Sequence, residues 1–217
     1  MTIDEWDLIA STRKSGDSLL FDTLYSGVAK AIQERCTSTS LIDYGCGCGD
    51  FCQLMAQLGY TTQGFDRSQE SITIASEKYQ SLPFYTDVEQ LHRADIMCSN
   101  LVLCTLTNEE QIEAFREMKR LTTELYVISI CHPCFDIDSQ GVVSQREVPK
   151  NARYEDTFQY SKRLRDNLVM HDYHRPLSHY FSLFDKVGLQ VTNLAESNTL
   201  DSGYKPDFIT FVLEERT

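Results

Sequence analysis

Three glycines at alternate positions, Gly45, Gly47 and Gly49, constrain the fold of this chain more than any other feature. Residues 41–44 before them are mostly apolar and typical of a buried parallel strand, and from Phe51 onward apolar residues recur at helical spacing. Glycine has no Cβ, so the backbone between strand and helix can turn sharply and approach a ligand closely. The stretch therefore predicts a strand, a glycine turn and a helix, the first unit of a nucleotide-binding α/β sheet.

The spacing of the glycines indicates which nucleotide is bound. Dinucleotide-binding proteins carry Gly-x-Gly-x-x-Gly, whereas this chain has Gly-x-Gly-x-Gly, with Asp43 two residues before the first glycine. No Gly-Lys-Ser/Thr phosphate-binding loop occurs, so a nucleoside triphosphate is not expected. The pattern resembles the first motif of class I S-adenosylmethionine (SAM)-dependent methyltransferases, acidic-x-Gly-x-Gly-x-Gly.

A second stretch fits the same resemblance. The short predicted strand 62–65 ends at Asp66, 17 residues after Gly49. An acidic residue at the end of the second strand can accept hydrogen bonds from both ribose hydroxyls. Gly-Phe-Asp-Arg-Ser at 64–68 matches the second motif of the family, and Ser68 is expected to cap the following helix.

The resemblance also assigns residues after the third and fourth strands. The family places an acidic residue near the adenine amino group, which here is Asp87, and its fourth motif falls on 94–100, ending at Asn100. Ligands bind at the carboxyl edge of open α/β sheets, where Asn100 is expected. The cofactor site implied by the resemblance comprises Asp43, Gly45, Cys46, Gly47, Gly49, Phe51, Asp66, Arg67, Ser68, Asp87, Val88 and Asn100.

The family fold is a Rossmann-like, doubly wound α/β sheet of seven strands, with the last strand antiparallel and inserted beside the fifth. We expect one such domain over residues 1–217. Apolar positions near period 3.6 in 1–35 predict an N-terminal helical segment that covers the cofactor cleft. The polar stretch 135–175 interrupts the strand–helix order, and two extended pieces within it predict a hairpin. An insertion after the fifth strand is expected to form a substrate lid.

The charge and hydrophobicity of the sequence restrict which partners the protein can bind. The net charge of −12 disfavours nucleic acid as a substrate, because such a surface repels phosphate backbones. No run approaches the roughly 18 apolar residues that span a bilayer, and the acidic N-terminus does not resemble a secretory signal. We therefore expect a cytoplasmic protein that is monomeric or homodimeric, without a membrane or nucleic-acid partner.

Eight cysteines are numerous for a cytoplasmic chain. The sequence Cys131-His132-Pro133-Cys134 is a Cys-x-x-Cys pair, which occurs in redox sites and in zinc sites. It closes a predicted strand instead of opening a helix, and further zinc ligands would have to come from Cys46 and Cys48. We expect neither a metal nor a redox role.

The resemblance implies a SAM-dependent methyltransferase that releases S-adenosyl-L-homocysteine (SAH) and acts on an amine or hydroxyl of a small molecule in biosynthesis, with a slight preference for an amine. A non-catalytic SAM- or nucleotide-binding protein and a protein or peptide methyltransferase remain open as alternatives. An NAD-dependent oxidoreductase ranks third, because the Gly-x-x-Gly ending is missing.

Methyl transfer from a sulfonium is an in-line displacement in which the protein mainly aligns the acceptor and excludes water. An acceptor that carries a proton at neutral pH also needs a general base. The candidates are His132, at the end of the fifth strand, and His171, Tyr173 and His174, near the end of the lid. His132 ranks first, because a strand holds it over the cleft.

Overall fold

The computed structural model describes residues 2–12, 18–122, 124–134, 144–164, 168–197, 206 and 208–216. Its strands, in chain order, are β1 (Ser40–Tyr44), β2 (Thr61–Phe65), β3 (Phe84–Tyr85), β4 (Ile96–Asn100), β5 (Leu125–Cys131), β6 (Ser144–Glu147), β7 (Phe158–Leu164), β8 (Val169–His174), β9 (Leu189–Glu196) and β10 (Phe208–Glu215). Its α-helices are α1 (Ile3–Thr12), α2 (Ser18–Gln33), α3 (Asp50–Gln57), α4 (Gln69–Lys78), α5 (Asn108–Leu121) and α6 (Leu177–Lys186). Two 3-10 turns occupy Val88–Gln90 and Leu103–Thr105.

Seven strands form the main sheet in the order β3-β2-β1-β4-β5-β10-β9. Strands β1 to β5 are parallel, and β10 lies antiparallel between β5 and β9. The prediction of a seven-stranded Rossmann-like sheet whose last strand is antiparallel beside the fifth is confirmed. The carboxyl ends of β1 and β4 lie side by side, and this edge is where such sheets bind ligands.

Both faces of the main sheet are covered, as the apolar strand sequences require. Strand β5 shows this directly, since Tyr126, Ile128 and Ile130 belong to the core on one face and Leu125 and Val127 to the core on the other. The first core includes residues of α5 and α6, and the second includes residues of α2 and α3. Burial on both sides fixes the strand registers that position the site.

Local signals in the sequence set the helix starts near the site. The side chain of Ser68 accepts a hydrogen bond from the Ser71 amide at 3.0 Å and caps α4. Thr107 and Glu110 form a reciprocal capping box at the start of α5. These caps satisfy amides that the first helical turn leaves without partners.

The insertion after β5 forms a separate antiparallel sheet of β6, β7 and β8. The predicted hairpin is present as β7 and β8, with Tyr160 opposite Asp172, while its turn at 165–167 and the segment 135–143 lie outside the described residues. Strand β6 adds a third strand that the sequence did not indicate.

The N-terminal segment is helical, as predicted, and α1 contacts both α4 and the small sheet. Asp7 accepts hydrogen bonds from the Ser68 hydroxyl at 2.5 Å and the Glu70 amide at 3.1 Å. On the same helix, Ile9 packs against Met170 of β8. Among the described helices, none is long and apolar enough to cross a membrane.

Candidate active site

The glycine turn between β1 and α3 needs glycine for two separate reasons. Gly45, Gly47 and Gly49 have φ values of +84°, +51° and +83°, in the left-handed region that other residues rarely adopt. A Cβ on Gly45 would lie 2.2 Å from Cγ2 of Val102, whereas one on Gly47 would meet no atom within 4 Å. The turn is thus packed against the β4–α5 loop at Gly45 and open at Gly47, which leaves backbone accessible to a ligand.

The end of β2 holds the glycine turn in place. The amides of Gly45 and Cys46 both donate to the Phe65 carbonyl, at 2.7 and 2.9 Å. The Cys46 side chain is buried in a small cluster with Cys52 and Ile72, so its thiol contributes to packing. Cys46 can therefore serve a cofactor through its backbone rather than its sulfur.

Asp66 links the glycine turn to α4. One carboxylate oxygen accepts from the Gly47 amide and the other from the Ser68 amide, each at 2.9 Å. Burial raises the pKa of Asp66, although these two amide bonds act in the opposite direction. Each carboxylate oxygen has a second lone pair, so Asp66 retains capacity to bind ribose hydroxyls.

Asp43, which is buried, and Asn100, which is half-buried, lie at neighbouring strand ends, and each has side-chain atoms without a hydrogen-bond partner in the described part of the chain. Among the described residues, Oδ1 of Asp43 and both amide atoms of Asn100 are buried and complete no hydrogen bond. Burial, followed by the neighbouring Asp66 carboxylate, raises the pKa of Asp43 to about 7. Buried groups of this kind cost free energy unless a partner arrives, so they mark the place where a polar ligand binds.

The backbone is strained directly after Asn100. Leu101 has a φ of +62°, uncommon for a residue with a branched side chain, and its amide donates to the Ser129 carbonyl at 2.9 Å. Such strain persists only where the surrounding structure enforces it, and it concentrates at functional sites. It also directs the following residue, Val102, onto Gly45.

The remaining predicted cofactor residues occupy different environments. Phe51 is fully buried with its ring 5.1 Å from that of Tyr25, so its side chain belongs to the core beneath the turn. Arg67 and Asp87 are exposed and Val88 is half-buried, and the Asp87 carboxylate accepts from the Glu89 amide at 3.0 Å. The structure therefore brings the Gly47 backbone, Asp43, Asp66 and Asn100 to one cleft and leaves Phe51 in the core.

A cavity lies between the carboxyl edge of the main sheet and the small sheet, with about 410 Å³ of empty space when the open solvent at its mouth is included. Aromatic side chains dominate its wall, together with two thiols and one arginine. The lining residues are Cys104, Cys131, His132, Pro133, Val148, Phe158, Tyr160, Tyr173, His174, Arg175 and Tyr180. We call this cavity the aromatic pocket.

Three of the four predicted catalytic residues line the aromatic pocket, but each is engaged within the protein. Nδ1 of His132 accepts the Cys134 amide at 3.1 Å, which places the proton of a neutral ring on Nε2, 2.8 Å from Glu196. His174 binds the Tyr154 carbonyl through Nε2 at 2.9 Å. The Tyr173 ring lies 4.6 Å from the Arg175 guanidinium.

A buried polar cluster lies beside the aromatic pocket. Nζ of Lys162 is 2.5 Å from the Asp172 carboxylate, and the two side chains are 15% and 0% exposed. Burial alone would lower the pKa of Lys162, but the Asp172 carboxylate outweighs it and the net pKa is raised. Atoms of Cys104, Cys131 and Asp172 lie within 4.8 Å of one another, an arrangement that could hold a metal ion. The adjacent Lys162 ammonium opposes a cation there, so the expectation of no metal is unchanged.

Arg175 closes one side of the same pocket and is 1% exposed. Its guanidinium donates to the carbonyls of Leu103 at 3.4 Å and Leu106 at 2.6 Å and to Oδ1 of Asn108 at 3.1 Å. Arg175 thereby fixes the β4–α5 loop, which also carries Leu101 and Val102.

Lys162, Asp172, Arg175 and Cys104 were not singled out as site residues from the sequence. One signal existed, because residues alternate across a strand. Once Tyr160 faces inward, Lys162 follows on the same face, and Asp172 is opposite Tyr160 in β8. No local pattern pointed to Cys104 or Arg175, which reach the pocket from other elements.

Comparison with known proteins agrees with this architecture. A family model described as a methyltransferase domain matches residues 37–197. An S-adenosylmethionine dependent methyltransferase from Mesorhizobium loti superposes with a TM-score of 0.62 at 18% identity, covering 88% of this chain and 100% of that one. The CcbJ methyltransferase from Streptomyces caelestis gives 0.67 at 12% identity, covering 90% of each chain.

A third solved structure is the 1,6-didemethyltoxoflavin-N1-methyltransferase from Burkholderia thailandensis, with its substrate and S-adenosylhomocysteine bound. It superposes with a TM-score of 0.65 at 11% identity, covering 99% of this chain and 88% of that one. Comparison with curated protein sequences gave no match. The family match spans most of the chain, and the chain belongs to the methyltransferase domain family, with the class I SAM-dependent methyltransferase fold predicted from its motifs.

Proposed function

We propose that this protein transfers the methyl group of SAM to a nitrogen or oxygen atom of a small molecule, with SAH as the product. The observation that carries the proposal is that Oδ1 of buried Asp43 and both side-chain amide atoms of half-buried Asn100 have no hydrogen-bond partner among the described residues, near the open Gly47 turn. The residues present fit SAM, which offers hydroxyl, amine and carboxylate groups to such atoms and the backbone.

Within this proposal, Asp66 binds the ribose hydroxyls and the Gly47 turn contacts the cofactor through its backbone. Asp43 and Asn100 accept and donate hydrogen bonds at the carboxyl ends of β1 and β4. Bound SAM supplies an activated methyl group on a positively charged sulfur. The protein's own part is then to align the acceptor and exclude water.

The aromatic pocket is the proposed acceptor site. Its wall combines aromatic side chains with a few polar groups, which is the type of lining that small-molecule sites have. Cys131 at the end of β5 and Cys104 in the 3-10 turn after β4 both line it, so it lies at the carboxyl edge of the sheet, where the proposed cofactor residues are. The cavity is open to solvent at its mouth, and its aromatic wall favours a small molecule over the protein-methyltransferase alternative.

The small sheet and α1 are the proposed cover of this site. Strands β7 and β8 form a wall of the pocket, and α1 connects them to α4 through Ile9 and Asp7. His132 keeps its place as the leading base candidate, but its Nδ1 must release the Cys134 amide before it can take a proton, while the protonated Nε2 can stay bound to Glu196. The single-domain organisation and the monomer or homodimer state stay predictions.

Calorimetry with SAM, SAH and NAD tests the cofactor assignment. We expect micromolar binding of both sulfur compounds and no binding of NAD. Binding of NAD alone would favour an oxidoreductase. Binding of SAH without methylation in a broad screen of amines, alcohols and phenols would favour the non-catalytic alternative.

A further inference from the structure

The charges around the aromatic pocket do not balance. Two cationic side chains, Lys162 and Arg175, lie in or beside it, and one carboxylate, Asp172, accompanies them. The Lys162–Asp172 pair is neutral as a unit. Arg175 therefore decides the net charge.

Arg175 has only neutral hydrogen-bond partners. Its guanidinium binds two carbonyls and the Asn108 amide oxygen, and no carboxylate in the described part of the chain lies within ion-pair distance of it. Carbonyl dipoles solvate this charge but do not cancel it. A buried charge without a counter-ion favours the arrival of an anion.

Other ionisable groups near the pocket leave this imbalance in place. Hydrogen bonding to Cys131 and burial raise the pKa of the Cys104 thiol, which keeps that thiol neutral. Glu196 contacts His132, but its side chain is 52% exposed and water screens its charge. Counted over the described residues, the charged side chains in and beside the pocket therefore sum to about +1.

The aromatic side chains that line the pocket also restrict the shape of the ligand. Phe158, Tyr160, Tyr173, His174 and Tyr180 supply five rings to one cavity. Flat rings pack well against other flat rings, with offset or edge-on contacts. The lining therefore suits a planar aromatic ligand better than a flexible aliphatic one.

From these observations we propose that the acceptor is a planar aromatic molecule that carries a negative charge, such as an aryl carboxylate or an acidic aryl hydroxyl. This inference rests on the proposed function, since it assigns the aromatic pocket to the methyl acceptor. The sulfonium of bound SAM must face the acceptor and adds another positive charge, which disfavours an ammonium acceptor further. The slight preference for an amine stays a prediction, because a negatively charged aromatic molecule can carry either a neutral amine or a hydroxyl as the group that is methylated.

Three probes of nearly equal shape isolate charge from size. Benzoate, benzamide and benzamidinium carry charges of −1, 0 and +1 on the same planar ring. Their affinities for the SAH-saturated protein are measured by ligand-observed NMR titration. Benzoate should bind about ten- to a hundredfold more tightly than benzamide, as one unit charge at close range in a protein interior implies, and benzamidinium should bind weakest.

Equal affinities, tighter binding of benzamidinium, or no benzoate binding at its highest soluble concentration would overturn the proposal. If SAH itself does not bind, the proposed function fails. The same titration on the unloaded protein then still decides whether the pocket prefers an anion, so the two failures are distinguishable.

Two variants of Arg175 separate its charge from its role in the loop. Arg175→Lys and Arg175→Gln both lose the planar fork that binds the carbonyls, but only the first keeps the charge. The preference for benzoate over benzamide should persist in Arg175→Lys and disappear in Arg175→Gln. The same loss of preference in both variants would limit Arg175 to holding the loop and refute charge recognition. The wild-type titration decides the question if either variant fails to fold.

Discussion

The contact between Gly45 and Val102 leads to a quantitative prediction for Gly45→Ala. The new Cβ would lie 2.2 Å from Cγ2 of Val102 and 3.4 Å from its Cβ. It would also sit on a backbone with a φ of +84°. The left-handed backbone costs about 1–2 kcal/mol for alanine, and overpacking against a β-branched neighbour with few rotamers costs about 1–3 kcal/mol more. We therefore expect a loss of about 2–5 kcal/mol in the free energy of unfolding.

Gly59→Ala is the matched control. Gly59 follows α3 with a φ of +93°, but a Cβ there meets no atom within 4 Å. It should show the backbone cost of about 1–2 kcal/mol alone. Urea unfolding followed by circular dichroism gives both values, and the difference between them reports the overlap with Val102.

A double variant tests whether Val102 is the cause. Val102→Ala removes Cγ2, so Gly45→Ala/Val102→Ala should recover about 1–3 kcal/mol relative to the sum of the two single variants. If Gly45→Ala is no less stable than Gly59→Ala, or if the double variant shows no recovery, then Gly45 is not in contact with the β4–α5 loop. The packing account of the glycine turn would then be wrong.

Three further predictions concern charged residues of the site. Burial and Asp66 raise the pKa of Asp43 from 3.8 to about 7, so the free energy of unfolding of the wild type should fall as pH rises from about 4 to 7. Asp43→Asn should avoid up to about 4 kcal/mol of that loss. Equal urea midpoints for the two proteins at pH 8 would contradict this prediction. Asp66→Asn should weaken SAH binding by tens-fold, because a charged hydrogen bond contributes about 1.5–3 kcal/mol. Calorimetry measures this affinity, and an unchanged affinity in the folded variant would remove Asp66 from the cofactor site. Lys162→Met should lower the free energy of unfolding by about 3–5 kcal/mol, because it leaves the buried Asp172 carboxylate without its cation. Lys162→Met/Asp172→Leu should recover most of this free energy. If urea unfolding shows no recovery, the pair does not interact.

Much of the cofactor half of the site was predictable because its signals are local. The acidic residue, the alternating glycines and Asp66 occur within a short stretch of sequence, and the structure places the Gly47 amide 2.9 Å from the Asp66 carboxylate. Ser68 and Thr107 cap their helices as their side chains predict. Phe51 shows the limit of this approach. Proximity to the glycines in sequence suggested a cofactor contact, but helical geometry turns its side chain into the core.

The acceptor half was less predictable because distant segments build it. Lys162 and Asp172 meet through the register of β7 and β8, while Cys104 comes from the 3-10 turn after β4 and Cys131 from the end of β5. The sequence offered only Cys46 and Cys48 as further ligands for a zinc site at Cys131, a site that was not expected, whereas the structure places Cys104 next to Cys131. His132 occupies the expected strand end, but the partners that hold both of its ring nitrogens were not foreseeable.

By itself, the sequence determined the fold class, the glycine turn and the helix caps, because backbone conformation, capping and hydrophobic periodicity depend on residues close together in the chain. Only the tertiary structure decided that Val102 packs on Gly45 and that Arg175 lies buried beside the aromatic pocket without a carboxylate partner. Those contacts depend on strand order, register and the path of the β4–α5 loop, which bring residues far apart in sequence into one small volume. The net charge of the aromatic pocket depends on side chains from several elements, so no single stretch of the chain determines it.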